Sequence, residues 1–257
     1  YLIPRLWQFR AGATFSETDV VNEFERGFAP IVTRLPGFIE YAGSPLQKSG
    51  LMFFYNVFQT KSQGEVAQQE ASQFVNSGVL ADQIEPLDFS EGEFDFMIAK
   101  RCSSNENFFL STRLWELTSG ATFTPEQVSQ TFAEGFGPEI SDAQGFVEYA
   151  GIPLNSGEIF FYNVFSSESG ANQANAEAAA FVEDGDLNGQ IERVRFESGK
   201  ISFDYYCSVA SSSSNSSDDD DDSSSRDDDD SSSNDDDDSR SSSSTGTQNT
   251  PLVILFL

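Results

Sequence analysis

Residues 37–58 read GFIEYAGSPL, a short turn and FFYNVF, and nearly the same words return over residues 145–165 as GFVEYAGIPL and FFYNVF. A chain that writes one block twice is confined to folds in which two like units pack against each other. Setting Arg5 against Arg113 aligns RLW with RLW, GATF with GATF, and Gly27, Phe28 and Pro30 with Gly135, Phe136 and Pro138. After a one-residue deletion before the second FFYNVF the match continues through Glu70/Glu177, Phe74/Phe181 and Gln83/Gln190. On the order of forty positions agree over about a hundred, which is a domain duplication and not a short solenoid repeat. The expected organisation is a first repeat over 1–104, a second over 105–210, a Ser/Asp-rich tail over 211–250 and a short apolar end over 251–257.

Each repeat opens with a strand, RLWQFRA or RLWELTS, whose alternation sets Arg5, Trp7 and Phe9 on one face, as it does Arg113, Trp115 and Leu117. A helix follows. Thr124, Pro125 and Gln127 give its start in the second repeat: Thr as N-cap, Pro at the first helical position, Gln closing a capping box. Val128, Phe132, Phe136 and Ile140 then recur every four residues, as Val20, Phe24 and Phe28 do in the first repeat. Pro30 and Pro138 fall inside these stripes and predict a kink or break near Gly27 and Gly135. The repeated block supplies two strands, and FFYNVF is apolar on both faces except at Asn56 and Asn163, so it is read as a central strand covered on both sides. A second helix presents Ala67, Ala71 and Phe74, matched by Ala174, Ala178 and Phe181. The last element, QIEPLDF-SEGE-FDFMIA in one copy and QIERVRF-ESGK-ISFDYY in the other, reads as a strand folded back into a hairpin.

Strand, helix, strand, strand, helix, strand is the split βαβ or ferredoxin-like order, so the fold class is α+β. The PGF-x-E-Y strand start, the long aromatic third strand ending near Asn and the Ala-rich second helix resemble the antibiotic-biosynthesis-monooxygenase (ABM) type of dimeric α+β barrel over nearly all of both repeats. The resemblance implies that the two repeats close one barrel within one chain, as a pseudo-dimer. It implies also a cavity between each sheet and its helices, where some members oxidise polycyclic aromatic substrates without metal or flavin, using residue types such as Asn and Trp. Haem-degrading relatives hold iron with a histidine, and this sequence has none. No cofactor is therefore expected.

Charge narrows the partners. Of the formal charge of −28, −11 comes from the 13 Asp and 2 Arg after position 210, which leaves −17 on the rest. Such a field repels phosphate backbones and anionic lipid, so nucleic acid is not an expected partner; cations and basic partners are. The absence of His removes the commonest general base and metal ligand near neutral pH. Cys102 and Cys207 follow the last strand of each repeat, and a disulfide and two separate thiols both fit the sequence. A chain opening at Tyr1 without Met is what processing, including removal of a signal peptide, or truncation leaves. The tail offers nothing apolar and is expected to be disordered, a solvated spacer or a diffuse binder of divalent cations, with one glycosylation sequon at Asn215. The end over 251–257 is far short of the roughly 20 residues of a membrane span; a truncated anchor signal and an incomplete end both fit. An extracellular or cell-surface location is the expectation.

The candidate site residues come in three sets. An aromatic pocket per repeat draws on Trp7, Tyr41, Tyr55 and Asn56, and on Trp115, Tyr149, Tyr162 and Asn163, although adjacent Tyr55 and Asn56 cannot share a face. Glu40 and Glu148 are the carboxylates for proton transfer, with Arg5 and Arg113 as counter-ions; a structural ion pair is the plainer use of both. Asp184, Asp186 and Asn188 begin a D-x-D-x-N-G calcium loop, but its twelfth position is Arg195, so the run reads first as a helix-to-strand turn. No G-x-G-x-x-G, P-loop, C-x-x-C or nucleophile elbow occurs. The expected function is an apolar or aromatic small-molecule binding module on an acidic stalk. The alternatives are a cofactor-independent ABM-type monooxygenase on an aromatic substrate, and a cation- or mineral-interacting surface protein acting through its tail.

Overall fold

Alternating apolar strands and two amphipathic helical segments per repeat can bury their faces only by layering, and a computed structural model shows how. It describes residues 1–47, 50–87, 91–100, 107–206 and, for the backbone alone, 88–89 and 254–256. Cys102, Cys207, the tail and its sequon lie outside these residues.

The first half runs β1 (Leu2–Phe9), α1 (Glu17–Glu23), a π-helical turn (Phe24–Phe28), α2 (Ala29–Val32), β2 (Phe38–Pro45), β3 (Leu51–Phe58), α3 (Lys61–Ser77), β4 (Ile84–Phe89) and β5 (Phe96–Ala99). The second runs β6 (Phe109–Leu117), α4 (Pro125–Thr131), a π-helical turn (Phe132–Phe136), α5 (Gly137–Ser141), β7 (Phe146–Pro153), β8 (Ile159–Phe165), α6 (Glu168–Asp184), β9 (Ile191–Lys200) and β10 (Phe203–Tyr206). The Thr124 capping box forms as expected, with Thr124 accepting from the Gln127 amide. The kink expected at Gly27 and Gly135 takes the form of the π turns. Pro30 and Pro138 cannot donate to the carbonyl four residues back, and the chain absorbs this by widening one turn, so that Ala29 N–H reaches Phe24 O. Glycine is needed there for close approach: a Cβ on Gly27 would lie 2.6 Å from the Phe74 ring, and one on Gly135 2.7 Å from Phe181.

Two antiparallel sheets result, ordered β10-β2-β3-β1-β4 and β5-β7-β8-β6-β9. A three-residue parallel strand, β11 (Ile254–Phe256), adds to the outer edge of β5. β3 and β8, the FFYNVF strands, are central and buried. The hairpin expected at the end of each repeat does not form. After β4 the chain crosses to the other sheet, where β5 pairs with β7, and after β9 it crosses back, where β10 pairs with β2. The physical reason is that β2 and β7 leave their outer edges open, and an exchanged strand covers each. The fold is thus two ferredoxin-like units closed into one α+β barrel with swapped edges.

Three apolar clusters follow. One lies between the sheets and includes Leu6, Phe53, Tyr55, Val57, Phe160, Tyr162 and Val164. The other two lie between each sheet and its own helices. The exchanged strands contribute to these last two: Phe203 of the second half packs in the first half's helix-side core, and Phe96 does the reverse. Their rings rest on Gly43 and Gly151, where a Cβ would collide; the Gly43 Cβ would sit 2.6 Å from Phe203 Cζ.

Candidate functional site

The sheets divide the candidate residues between two faces. On β2 and β3, Tyr41 lies opposite Asn56 and both point to the helices, whereas Glu40 lies opposite Val57 and, like Tyr55, points to the sister sheet. Arg5 lies opposite Phe54 and shares the helix face with Trp7 and Asn56. The second half repeats this division, with Arg113, Trp115, Tyr149 and Asn163 toward the helices and Glu148 and Tyr162 toward the other sheet. Glu40 and Arg5 are therefore on opposite sides of one sheet. The expected pairing of Glu40 with Arg5, and of Glu148 with Arg113, is corrected on that ground: a side chain cannot reach through a strand.

Between the sheets, Glu40 and Glu148 are both fully buried. The Tyr55 hydroxyl donates to Glu40 Oε1 at 2.5 Å and the Tyr162 hydroxyl donates to Glu148 Oε1. The two tyrosine rings meet across the interface at 5.1 Å, beside stacked Phe53 and Phe160 at 5.8 Å. Burial pushes the Tyr162 hydroxyl well above its ordinary range, and the charges of Glu148 and Glu40 push it further. Each tyrosine thus donates to a carboxyl of its own sheet, and the contact between the sheets is made by the aromatic rings.

On the helix face of the first half, the Arg5 guanidinium is nearly fully buried. Its Nη1 donates to Asn56 Oδ1, and its Nε and Nη2 donate to Gln68 Oε1 of α3 at 2.9 and 2.7 Å. Burial lowers its pKa to about 10, against the raising influence of Tyr41 and Glu91, so it stays charged at neutral pH. Beside it lies a cavity of about 240 Å³ between β1, α3 and β4. Trp7, Ala71, Val75, Ile84 and Pro86 make its apolar wall, and Arg5, Gln68, Ser72 and Asn76 its polar part, with Arg10 at the edge. Arg10 is held by Glu85 at 3.6 Å and by the Ile84 carbonyl. The Trp7 indole N–H is buried there and meets no acceptor. Tyr41 lies deeper, edge-on to Phe28 and 5.0 Å from Phe203; burial raises its pKa strongly. The cavity therefore keeps Trp7 of the expected pocket, adds Gln68 and Ser72 of α3, and leaves Tyr41 as core. α3 residues were not picked out by sequence, although Gln68 sits one residue from the Ala67 stripe that faces the sheet.

In the second half, Ser111 Oγ donates to Asn163 Oδ1, and Arg113 Nε donates to Asn175 Oδ1 at 3.0 Å. Tyr149 packs edge-on against Phe136 and Phe96, and burial raises its pKa. Asp184 ends α6, and the Asn188 amide donates to Glu183 O at 2.7 Å, closing a helix-to-strand turn. Among the described residues no three His, Cys, Asp or Glu side chains gather as a metal site, and no helix is long and apolar enough to cross a membrane.

No protein-family model matches the sequence, and no curated protein sequence does. Solved structures match its shape. A "putative monooxygenase" from Lactobacillus acidophilus NCFM superposes with a TM-score of 0.57 at 12% identity, over 80% of this chain and 96% of its own. A second "putative monooxygenase", from Fusobacterium nucleatum subsp. nucleatum ATCC 25586, gives 0.57 at 11% identity, over 80% and 98%. A "putative chlorite dismutase" gives 0.53 at 10%, over 78% and 94%. At these identities the likeness is one of fold: the chain has a ferredoxin-like α+β barrel, closed by its two halves.

Proposed function

We propose that the protein binds a small aromatic molecule in the cavity between β1, α3 and β4. The observation that carries this reading is the cavity of about 240 Å³ beside Trp7. An apolar cavity of roughly 150 Å³ admits benzene, so this one has room for a bicyclic ring. The indole face and the Ala71, Val75 and Ile84 side chains supply apolar contact, while Gln68, Ser72 and the Trp7 N–H suit a hydroxyl or carbonyl substituent.

Calorimetric titration with 1-naphthol tests it. One saturable site is expected in the full chain, and Ser72→Trp, which fills the cavity from its solvent side, should abolish the heat. Undiminished binding by Ser72→Trp would place the ligand elsewhere and end the proposal.

A second reading, a cofactor-independent monooxygenase acting on the same ligand, is favoured by the fold shared with two "putative monooxygenases". Oxygen uptake that depends on both an oxidisable phenol and an open cavity would support it; uptake unchanged by Ser72→Trp would not.

A further inference from the structure

The second half carries a cationic cluster that the first half lacks. Where β4 has Pro86 and Asp88, the matching positions of β9 are Arg193 and Arg195. A bulge then decides where these arginines point. Leu114 pairs with Arg195 while Trp115 pairs with Arg193, leaving Val194 as the extra residue. In a regular strand Arg193 and Phe196, three apart, would face opposite sides; the bulge turns both to the helix face, beside Trp115 and Arg113. The distances agree: the Arg113 guanidinium carbon is 6.0 Å, and that of Arg193 5.7 Å, from the centroid of the same Phe196 ring.

Two like charges thus share one ring, and Arg113 is only 2% exposed. Among the described residues neither has a carboxylate partner. Arg113 spends its Nε on Asn175, its Nη2 meets no acceptor, and the nearby Trp115 Nε1 meets none either. Burial and the neighbouring Arg193 both lower the pKa of Arg113, to about 10, with Tyr149 opposing them, so it remains a cation at neutral pH. A buried, uncompensated cation is unfavourable unless something anionic joins it. The first half shows the alternative solution, in which Asn56 and the longer Gln68 take up the guanidinium of Arg5 and Pro86 brings no second charge.

We propose that Arg113 and Arg193, with the Trp115 indole N–H, form a binding site for a small organic carboxylate on the helix face of β6 and β9. The two guanidinium groups and the Trp115 N–H are donors, so the ligand must bring acceptors to them. A planar carboxylate matches the guanidinium fork in two parallel hydrogen bonds. The strongly negative chain disfavours multiply charged phosphates, and Trp115 and Phe196 favour a carboxylate carried on an aromatic ring. Exposed Arg193 stands on the solvent side and buried Arg113 at the inner end. This site is separate from the first-half cavity, and neither proposal depends on the other.

Benzoate is the probe, titrated calorimetrically into the full chain at low ionic strength, with benzamide as its neutral counterpart. In the Ser72→Trp chain, whose first-half cavity is filled, one benzoate site is expected and no benzamide binding. Arg193→Gln, an exposed change that spares the core, should weaken benzoate at least about tenfold, as loss of one charge-assisted contact does. Arg113→Gln should weaken it as much or more, and Ser72→Trp in the first half should leave it unaltered. Absence of benzoate binding to the Ser72→Trp chain, equal binding of benzamide there, or equal benzoate affinity when Arg193→Gln is added to Ser72→Trp would each overturn the proposal.

Discussion

Phe203 is the sharpest place to test the swapped architecture, because it belongs in sequence to the second half and in space to the core of the first. It is 4% exposed and its ring lies 5.0 Å from Tyr41 and 6.0 Å from Phe54. Beneath it is Gly43, which has no side chain that could relax into the space a truncation would leave. Phe203→Ala should therefore cost toward the middle or upper part of the usual range for a buried phenylalanine, about 4 kcal/mol. With a urea slope of about 3 kcal/mol per molar for a chain this size, the midpoint should fall by about 1.3 M. The assay is urea unfolding followed in two single-tryptophan backgrounds, Trp115→Phe to watch Trp7 and Trp7→Phe to watch Trp115. Trp7 sits in the same core as Phe203, so its signal must move. A loss below about 1 kcal/mol, or a loss seen by Trp115 alone, would refute the exchange of β10.

Three further expectations follow from the packing and the charges. Gly27→Ala gains helix propensity worth up to about 1 kcal/mol but drives a Cβ to 2.6 Å from the Phe74 ring, so thermal unfolding should show a net loss of roughly 1–2 kcal/mol. Arg113→Met and Arg5→Met should act in opposite directions in carboxylate-free buffer: removing the unsatisfied cation at Arg113 should stabilise by about 1–4 kcal/mol, whereas Arg5→Met strands Asn56 and Gln68 and should destabilise by about 1–3 kcal/mol. Tyr41, Tyr149 and Tyr162 have folded-state pKa values raised by burial. The unfolded chain therefore loses these protons first, and stability should hold below about pH 10 and fall as pH rises beyond it. Tyrosinate absorbance from these three residues should appear together with loss of tertiary signal and not before it.

Much of this fold was legible because its determinants are local. The Thr124 capping box, the four-residue Phe stripes and the alternation that sets Arg5 with Trp7 are all written in contiguous residues, and the duplication announced that two such units would meet. What was not legible is long-range. QIEPLDF and FDFMIA make an acceptable hairpin on their own, and only the open edge of the other sheet decides that β5 crosses over. The same limit applies to Glu40: its place in the strand shows that it is polar and inward, but whether inward means toward Arg5 or toward Tyr55 depends on which face the helices cover. Arg193, which stands where the first repeat has Pro86, was not among the candidates, and its direction is fixed by a bulge at Val194 that strand periodicity does not contain.

The glycines under Phe203 and Phe96 set a condition on how the chain can change over time. Each is the last letter of the repeated EYAG and serves a ring encoded in the other half, so the two halves are bound by a reciprocal dependency that neither can leave alone. The helix-side surfaces are under no such bond. A duplicated chain built this way can hold its shared framework fixed while its two sides drift apart, which a pair of identical subunits could never do. The contrast between Arg5 and Arg113 is what that freedom looks like once it has been used.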